Sequence, residues 1–325
     1  METFYNIILD LNRTATSLIG CPLGVPTKYF LQELKAKQLC ASYPYIKQNQ
    51  NFASLNEHTR AGIYNDWGLA LAVLDQTADA LEKIALAIDL DPNEAFHYIA
   101  SGWIKTGINN AIECGSDVRG AIGDFTTALG LNPESPSAPG YLVKCYLAVG
   151  QNDNAIAVAR TQLSNNPDPI SCNDLAIALA SDAQYPEALA LLDKAIEQEE
   201  RPIYYQSRGN VHVQMGDIAQ ARCDFTSSID LASQEDRLED SFCSYLRRAS
   251  ISERDQVFDN VAKDYQMGIR LASNIRPREL CSGEIRALLA ACQRLCEEGY
   301  YYSGQLKQYE ELNGEREKIR EGVLR

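Results

Sequence analysis

The residue types that most often carry catalysis or bind metals are scattered along this chain. Its ten cysteines form no Cys-x-x-Cys pair, and the three histidines, His58, His97 and His212, lie far apart in the sequence. Zinc sites need close clusters of thiolate or imidazole ligands, and the one close cysteine pair, Cys292 and Cys296, has no histidine nearby. Buried free cysteine behaves as a small apolar side chain. We therefore expect cysteines to fill the core and no metal site to form, with a redox role left open for that pair.

Motifs for nucleophilic catalysis, zinc hydrolysis and phosphate binding are also missing from the sequence. There is no Gly-x-Ser-x-Gly nucleophile elbow, no His-Glu-x-x-His zinc motif and no Gly-Lys-Ser/Thr phosphate loop. The glycine-rich run 115–123 precedes a predicted helix and contains no lysine, so we interpret it as a loop. These observations predict no catalytic residue, no cofactor and no enzymatic activity.

Composition and charge exclude further classes of protein. The 325 residues are 45% hydrophobic and 23% charged, which is typical of a folded chain. The formal net charge of −14 argues against nucleic-acid binding, because neutralising phosphates requires a basic surface. No stretch approaches the roughly 20 apolar residues that a membrane-spanning helix needs. No basic segment precedes the apolar run Phe4 to Leu9, so we expect no secretory signal and a cytoplasmic location.

A pattern of small and bulky residues recurs along the middle of the chain. Alanines at 80, 121, 155, 188 and 221 are separated by 41, 34, 33 and 33 residues. The copies read Ala80-x3-Ile84-x2-Ala87, Ala121-x3-Phe125-x2-Ala128, Ala155-x3-Ala159, Ala188-x3-Leu192-x2-Ala195 and Ala221-x3-Phe225-x2-Ser228, with a weaker sixth copy, Val261-x3-Tyr265-x2-Gly268. Repetition at such a period indicates stacked structural units.

A second helical pattern precedes each alanine. Its clearest copy is Tyr64-x2-Trp67-Gly68-x2-Leu71, and Tyr205-x3-Gly209 keeps the aromatic and the small residue. Small residues let two antiparallel helices approach closely while large side chains interlock around them. Turns at Gly150 and Gly216 separate the two helices, and Pro92, Pro133 and Pro167 follow the second helix, which proline ends. Each unit is therefore predicted to be a helix, a turn and a helix.

These repeated residues resemble the tetratricopeptide-repeat family over residues 61–275. The resemblance implies an all-α fold, a right-handed α-solenoid of about six to seven helical hairpins with helical caps. The predicted organisation is an N-terminal helical cap or arm at 1–60, repeats near 61–94, 95–135, 136–168, 169–201, 202–241 and 242–275, and a C-terminal hairpin and capping helix at 276–325. A cap for the first segment is favoured because its apolar stripes need cover.

In tetratricopeptide-like proteins the first helix of each unit lines a concave groove. Projecting those helices on a 3.6-residue period predicts these groove residues: Asn65, Trp103, Lys144, Asn173, Gln206, Asn210 and Arg254. Amide side chains donate to and accept from a peptide backbone, and a tryptophan supplies an apolar pocket. The alternative is that the amides are merely solvated and Trp103 packs under an insertion at 109–116. The lysine and asparagine clamp of the family's chaperone-binding members is not reproduced.

We therefore predict an adaptor or scaffold that binds a protein or an extended peptide in its groove, in assembly or chaperoning. The acidity is concentrated at 61–274, where fifteen Lys and Arg oppose thirty-one Asp and Glu, and this favours a basic partner. The alternatives are a non-catalytic subunit or regulator of an enzyme complex, an enzyme with its chemistry in residues 1–60, and a scaffold that self-associates through its terminal hairpins. Neither nucleic acid nor membrane insertion is expected.

Overall fold

A computed structural model describes residues 26–48, 52–74, 76–107, 117–234 and 238–254, with positions 261, 264 and 267. These residues form twelve α-helices and a 3-10 turn at Phe52–Ser54, with no strand among them. The helices are α1 (Pro26–Gln48), α2 (Glu57–Val73), α3 (Thr77–Leu90), α4 (Ala95–Thr106), α5 (Val118–Leu131), α6 (Ala138–Ala148), α7 (Asn152–Asn165), α8 (Pro169–Ser181), α9 (Tyr185–Gln198), α10 (Pro202–Met215), α11 (Ile218–Gln234) and α12 (Leu238–Arg254). They form two compact units, residues 27–158 and residues from 159 onward. The all-α prediction is confirmed.

Helices pair along the chain within each unit. In the first unit α2 packs on α3 and α4 on α5, and the first helices α2 and α4 also touch each other. In the second unit α8 packs on α9 and α10 on α11, while α10 contacts both neighbouring first helices, α8 and α12. Each described pair is therefore an antiparallel hairpin whose first helix lies beside the first helix of the next hairpin.

Helix ends follow from local sequence. The helices α3, α5 and α7 each stop two residues before a proline, at Pro92, Pro133 and Pro167, which cannot continue a helix. Turns within the hairpins need a left-handed residue, and it recurs every 33 residues as Gly150 (φ 73°), Ala183 (φ 58°) and Gly216 (φ 81°). Glycine adopts this conformation freely, whereas alanine has a steric cost of roughly 1–2 kcal/mol.

The small residues of the repeat lie where the helices of a hairpin cross. The five alanines at 80, 121, 155, 188 and 221 are all 0% exposed. A Cβ atom added to Gly102 would lie 2.6 Å from the Phe125 ring, and one added to Gly209 would lie 2.9 Å from the Phe225 ring. Both rings are fully buried. Glycine at these two positions is therefore required by the close approach of the helices.

The first unit contains a second apolar cluster, formed where α1 meets α2. Leu39 and Ile46 of α1 are buried with Ile63 of α2, and the Tyr43 ring stacks on Trp67 with centroids 5.4 Å apart. The described part of α1 thus covers the apolar side of the first repeat.

Several sequence predictions lie outside the described residues: the helix at Phe4–Leu11, the insertion at 109–116, the hairpin at 276–325, and the Cys292 and Cys296 pair. The five cysteines of the described chain that are free comprise buried Cys145 and Cys172, half-buried Cys40 and Cys243, and exposed Cys223. Within the same residues no helix has both the length and the apolar character needed to cross a membrane.

We predict opposite effects for two glycine-to-alanine substitutions in one hairpin. Gly102→Ala places a methyl group against the enclosed Phe125 ring, so unfolding free energy should fall by about 1–3 kcal/mol, as in other overpacked cores. Gly123→Ala faces open space in α5 and should raise it by about 0.5–1 kcal/mol through helix propensity. Urea unfolding followed by circular dichroism measures both. Equal effects of the two substitutions would contradict the close contact.

Candidate functional site

The second unit presents a continuous face on its adjacent first helices α8 and α10. This face is defined by Ile170, Asn173, Ile203, Gln206 and Asn210, and we name it the α8–α10 face. Ile170 is 46% exposed and Ile203 is 45% exposed, while Gln206 and Asn210 are half-buried. Three of the residues predicted for the groove therefore lie on one face, beside two exposed isoleucines.

The starts of the two helices place the isoleucines. Pro169 and Pro202 are the first residues of α8 and α10, a position where proline lacks only a hydrogen bond that no helix would make. The Asp168 carboxylate caps α8 by accepting a hydrogen bond from the Ser171 amide at 2.7 Å. Ile170 and Ile203 each follow their proline, 33 residues apart, and thus occupy equivalent places.

The amide side chains of this face have unmet hydrogen-bonding capacity. Asn173 is 7% exposed, and its Oδ1 atom accepts no hydrogen bond from the protein. The Oδ1 atom of Asn210 is likewise enclosed and accepts none. Leaving a buried acceptor unsatisfied costs about 1–3 kcal/mol. Two amide oxygens on adjacent helices therefore favour the arrival of an external donor.

The charge around the α8–α10 face is strongly negative. Residues 166–184 and 199–217, which comprise α8, α10 and their flanking turns, contain six carboxylates and two guanidinium groups. The carboxylates are those of Asp168, Asp174, Asp182, Glu199, Glu200 and Asp217. Both guanidinium groups are already paired, since Arg201 lies 3.4 Å from Glu199 and Arg208 binds carboxylates of two other helices.

Arg208 joins three helices behind this face. Its Nη2 and Nε atoms donate to Asp224 of α11 at 2.7 and 3.1 Å, and its Nη1 atom donates to Asp193 of α9 at 2.6 Å. These carboxylates raise the pKa of Arg208, with the Asp224 hydrogen bond the largest cause. The guanidinium also lies over the Tyr205 ring, 5.4 Å from its centroid. The orientation of α10 is thereby fixed against both second helices.

The same network recurs one repeat later. Arg248 of α12 donates to both oxygens of Asp264 at 2.8 Å and to the Thr226 hydroxyl of α11 at 2.9 Å. Its guanidinium lies 5.6 Å from the Tyr245 ring centroid. The repeat therefore includes a buried ion pair that ties each hairpin to the preceding second helix.

In the first unit the predicted groove residues are enclosed. Trp103 packs edge-to-face on Phe96 and Tyr141, with centroid distances of 5.9 and 5.5 Å. Lys144 is half-buried, and its Nζ atom lies 5.6 Å from the Tyr141 centroid. The structure thus brings Trp103 and Lys144 to the same tyrosine, and it places the tryptophan in the core.

Asn65, the remaining groove residue of the first unit, is buried and binds a histidine. Its Oδ1 atom accepts from Nδ1 of His97 at 3.1 Å, so the other ring nitrogen of neutral His97 is enclosed without a partner. Burial lowers the pKa of His97. Beside Asn65, burial raises the pKa of Asp66 to about 7.

The other groups that suggested chemistry have simple partners. His58 lies on the surface with Nδ1 2.6 Å from the Asp91 carboxylate, and that hydrogen bond lowers the pKa of Asp91. Across the described chain no three histidine, cysteine or acidic side chains are grouped closely enough to hold a metal ion. Arg254 ends α12, and its side chain lies outside the described residues.

Sequence reasoning missed four functional or positioning residues of the second unit. Ile170 and Ile203 could have been found from the repeated Pro-Ile pair at 169 and 202. Arg208 and Asp224 could have been found from Tyr-x2-Arg at 205 and 245 together with an acid before the bulky residue at 224 and 264. These signals were overlooked because a helical projection that considers only the groove ignores them.

Comparison with solved structures identifies the fold. A tetratricopeptide repeat protein from Parabacteroides merdae matches 94% of this chain over 99% of its own length, with a TM-score of 0.56 and 14% identity. MamA of Desulfovibrio magneticus (20% identity, 54% and 97% coverage) and pilF of Pseudomonas aeruginosa (13%, 78% and 97%) each score 0.45, below the range that implies a shared fold. No protein-family model and no curated protein sequence matches the chain. The predicted tetratricopeptide fold is confirmed by the first likeness.

We predict that Arg208 stabilises the second unit far more than a surface arginine does. Arg208→Met leaves Asp224, whose side chain is 6% exposed, without its cation, and should cost about 3–5 kcal/mol of unfolding free energy. The control is Arg160→Met, because Arg160 and its partner Glu187 are 52% and 50% exposed, and such pairs contribute about 0–1 kcal/mol. Urea unfolding compares them. Similar losses in both variants would show that the buried network has no special role.

Proposed function

Because the chain has a tetratricopeptide-repeat fold, we propose that it is a non-catalytic adaptor or scaffold that holds an extended segment of a partner protein on the α8–α10 face. The observation that carries the proposal is the pairing, on adjacent first helices, of two exposed isoleucines with two unsatisfied amide oxygens. Together they offer an apolar contact and hydrogen-bond acceptors at one place.

The isoleucines supply the affinity in this proposal. Covering a fully exposed aliphatic side chain of this size yields about 1.5–3 kcal/mol, and Ile170 and Ile203 have nearly half of their surface available. Their equivalent positions at the starts of neighbouring helices suit two apolar side chains of one extended segment. A partner that covers both gains more than either helix offers alone.

The amides supply orientation. The Oδ1 atoms of Asn173 and Asn210 can accept from backbone N–H groups of an extended segment, and the Gln206 amide can both donate and accept. Backbone recognition of this kind holds a chain without reading most of its side chains. The neutral amides thus suit a binding face better than a catalytic one.

The titratable groups favour binding over catalysis. His97 is enclosed, its Nδ1 donates to Asn65, and burial lowers its pKa, so it is well suited to a neutral structural role. His58 is on the surface and paired with Asp91. Neither histidine lies beside a nucleophile with which it forms a hydrogen bond in the described structure, and we propose that any chemistry resides in the partner.

We predict that partners captured by the protein depend on the α8–α10 face. Affinity capture should be run with wild type, with Asn173→Ala/Asn210→Ala and with Ile170→Ser/Ile203→Ser, each checked for unchanged thermal unfolding. Both variants should lose at least ten-fold of the specifically bound protein, because contact area and acceptors disappear.

The matched control for the isoleucine pair is Leu131→Ser, since Leu131 is 38% exposed but lies at the end of the second helix α5. It should capture the same proteins as wild type. An identical set of bound proteins from wild type and both face variants would remove the binding site from this face.

A further inference from the structure

We infer that the α8–α10 face selects a partner segment in which apolar side chains alternate with lysine or arginine. The inference rests on the proposed function, and it adds the chemical class of the partner. Three observations carry it: the sign of the charge around the face, the kind of hydrogen-bonding group left unmet on it, and the prior engagement of its own cations.

The carboxylates flank the face on both sides. Asp168, Glu199 and Glu200 precede α8 and α10, whereas Asp182 and Asp217 follow them, so acidic groups stand at both ends of the two helices. Four of these five residues are exposed, and Asp168 is half-buried. A segment crossing the isoleucines therefore passes between two acidic borders, which attract cationic side chains and repel anionic ones.

The groups left unmet on the face are acceptors. Enclosed oxygens of Asn173 and Asn210 lack donors, while lysine and arginine side chains carry donors and no acceptor. Hydrogen bonds from charged donors are roughly twice as strong as those between neutral groups. A cationic side chain beside these amides thus satisfies them more fully than a hydroxyl or an amide does.

The protein's own cations do not compete for these oxygens. Across α8 there is no lysine or arginine, and the single arginine of α10 is Arg208, which donates to Asp193 and Asp224. In the turn before α10, Arg201 lies against Glu199. The face therefore has an excess of negative charge that a partner can balance.

The apolar requirement separates this face from a merely acidic surface. A polycation attracted by net charge alone binds in proportion to charge and weakens steeply with salt. A segment that also covers Ile170 and Ile203 retains part of its affinity at high salt, because burial of apolar surface is not screened. Selectivity thus depends on both kinds of side chain.

The test uses three fluorescein-labelled nonapeptides that alternate leucine with lysine, with glutamine or with glutamate. Binding is measured by fluorescence anisotropy against the full chain at low and at high salt. The lysine peptide should bind at least ten-fold more tightly than the glutamine peptide, and the glutamate peptide should bind most weakly.

Substitutions at Gln206 test the local charge without a change of size. Gln206→Glu should tighten binding of the lysine peptide at least three-fold, and Gln206→Lys should weaken it at least ten-fold. The matched controls are Gln220→Glu and Gln220→Lys, because Gln220 is exposed on the second helix α11 of the same hairpin. These controls should alter affinity less than two-fold.

Ile170→Ser/Ile203→Ser separates the inference from the proposed function. If the lysine and glutamine peptides bind equally and both lose affinity in this variant, the face binds segments but does not select cations, and the inference is overturned alone. If no peptide binds wild type, or if none loses affinity in this variant, both proposals are overturned. Equal responses to the Gln206 and Gln220 substitutions would show attraction by net charge and would also overturn the inference.

Discussion

The close approach of two helices at a small residue determines the geometry of this protein. In hairpins of both units a glycine of the first helix faces a bulky buried side chain of the second: Gly68 faces Ile84, Gly102 faces Phe125 and Gly209 faces Phe225. No Cβ atom fits between them, so the distance between the helices is set by the ring or branched chain. Because the first helix is pressed down at that residue, the direction of every other side chain on it is determined.

Helix α10 shows how this contact leads to a binding face. Gly209 points at Phe225, and the preceding residue, Arg208, reaches sideways to Asp224 and Asp193. Gln206 and Asn210 are then left on the side that contacts no second helix, next to Asn173 of α8. The buried ion pair and the glycine contact therefore position the amides, and the isoleucines after the two prolines extend the same face.

Much of the fold could be predicted from the sequence, because repetition places the same steric requirement at a regular period. The alanines, the glycines of the turns and the prolines after the second helices each have one physical role, and the structure has them there. The candidate site was less predictable. Helical periodicity selected Asn65 and Trp103 in the first unit, but neighbouring aromatic rings and His97 enclose them, and such tertiary packing cannot be read from the period of one helix. Ile170, Ile203 and Arg208 were missed because their roles depend on contacts between repeats, whereas Asn173, Gln206 and Asn210 remain predictions for the groove.

A double-mutant cycle on Gly209 and Phe225 tests the central contact most directly. Gly209→Ala should lower the free energy of unfolding by about 1–3 kcal/mol through overpacking against the ring. In a Phe225→Leu background the added methyl group has room, so its cost should fall by at least about 1 kcal/mol, which is within the coupling expected of residues in contact. Additive losses, with the same cost of Gly209→Ala in both backgrounds, would contradict the account that this approach positions the first helices.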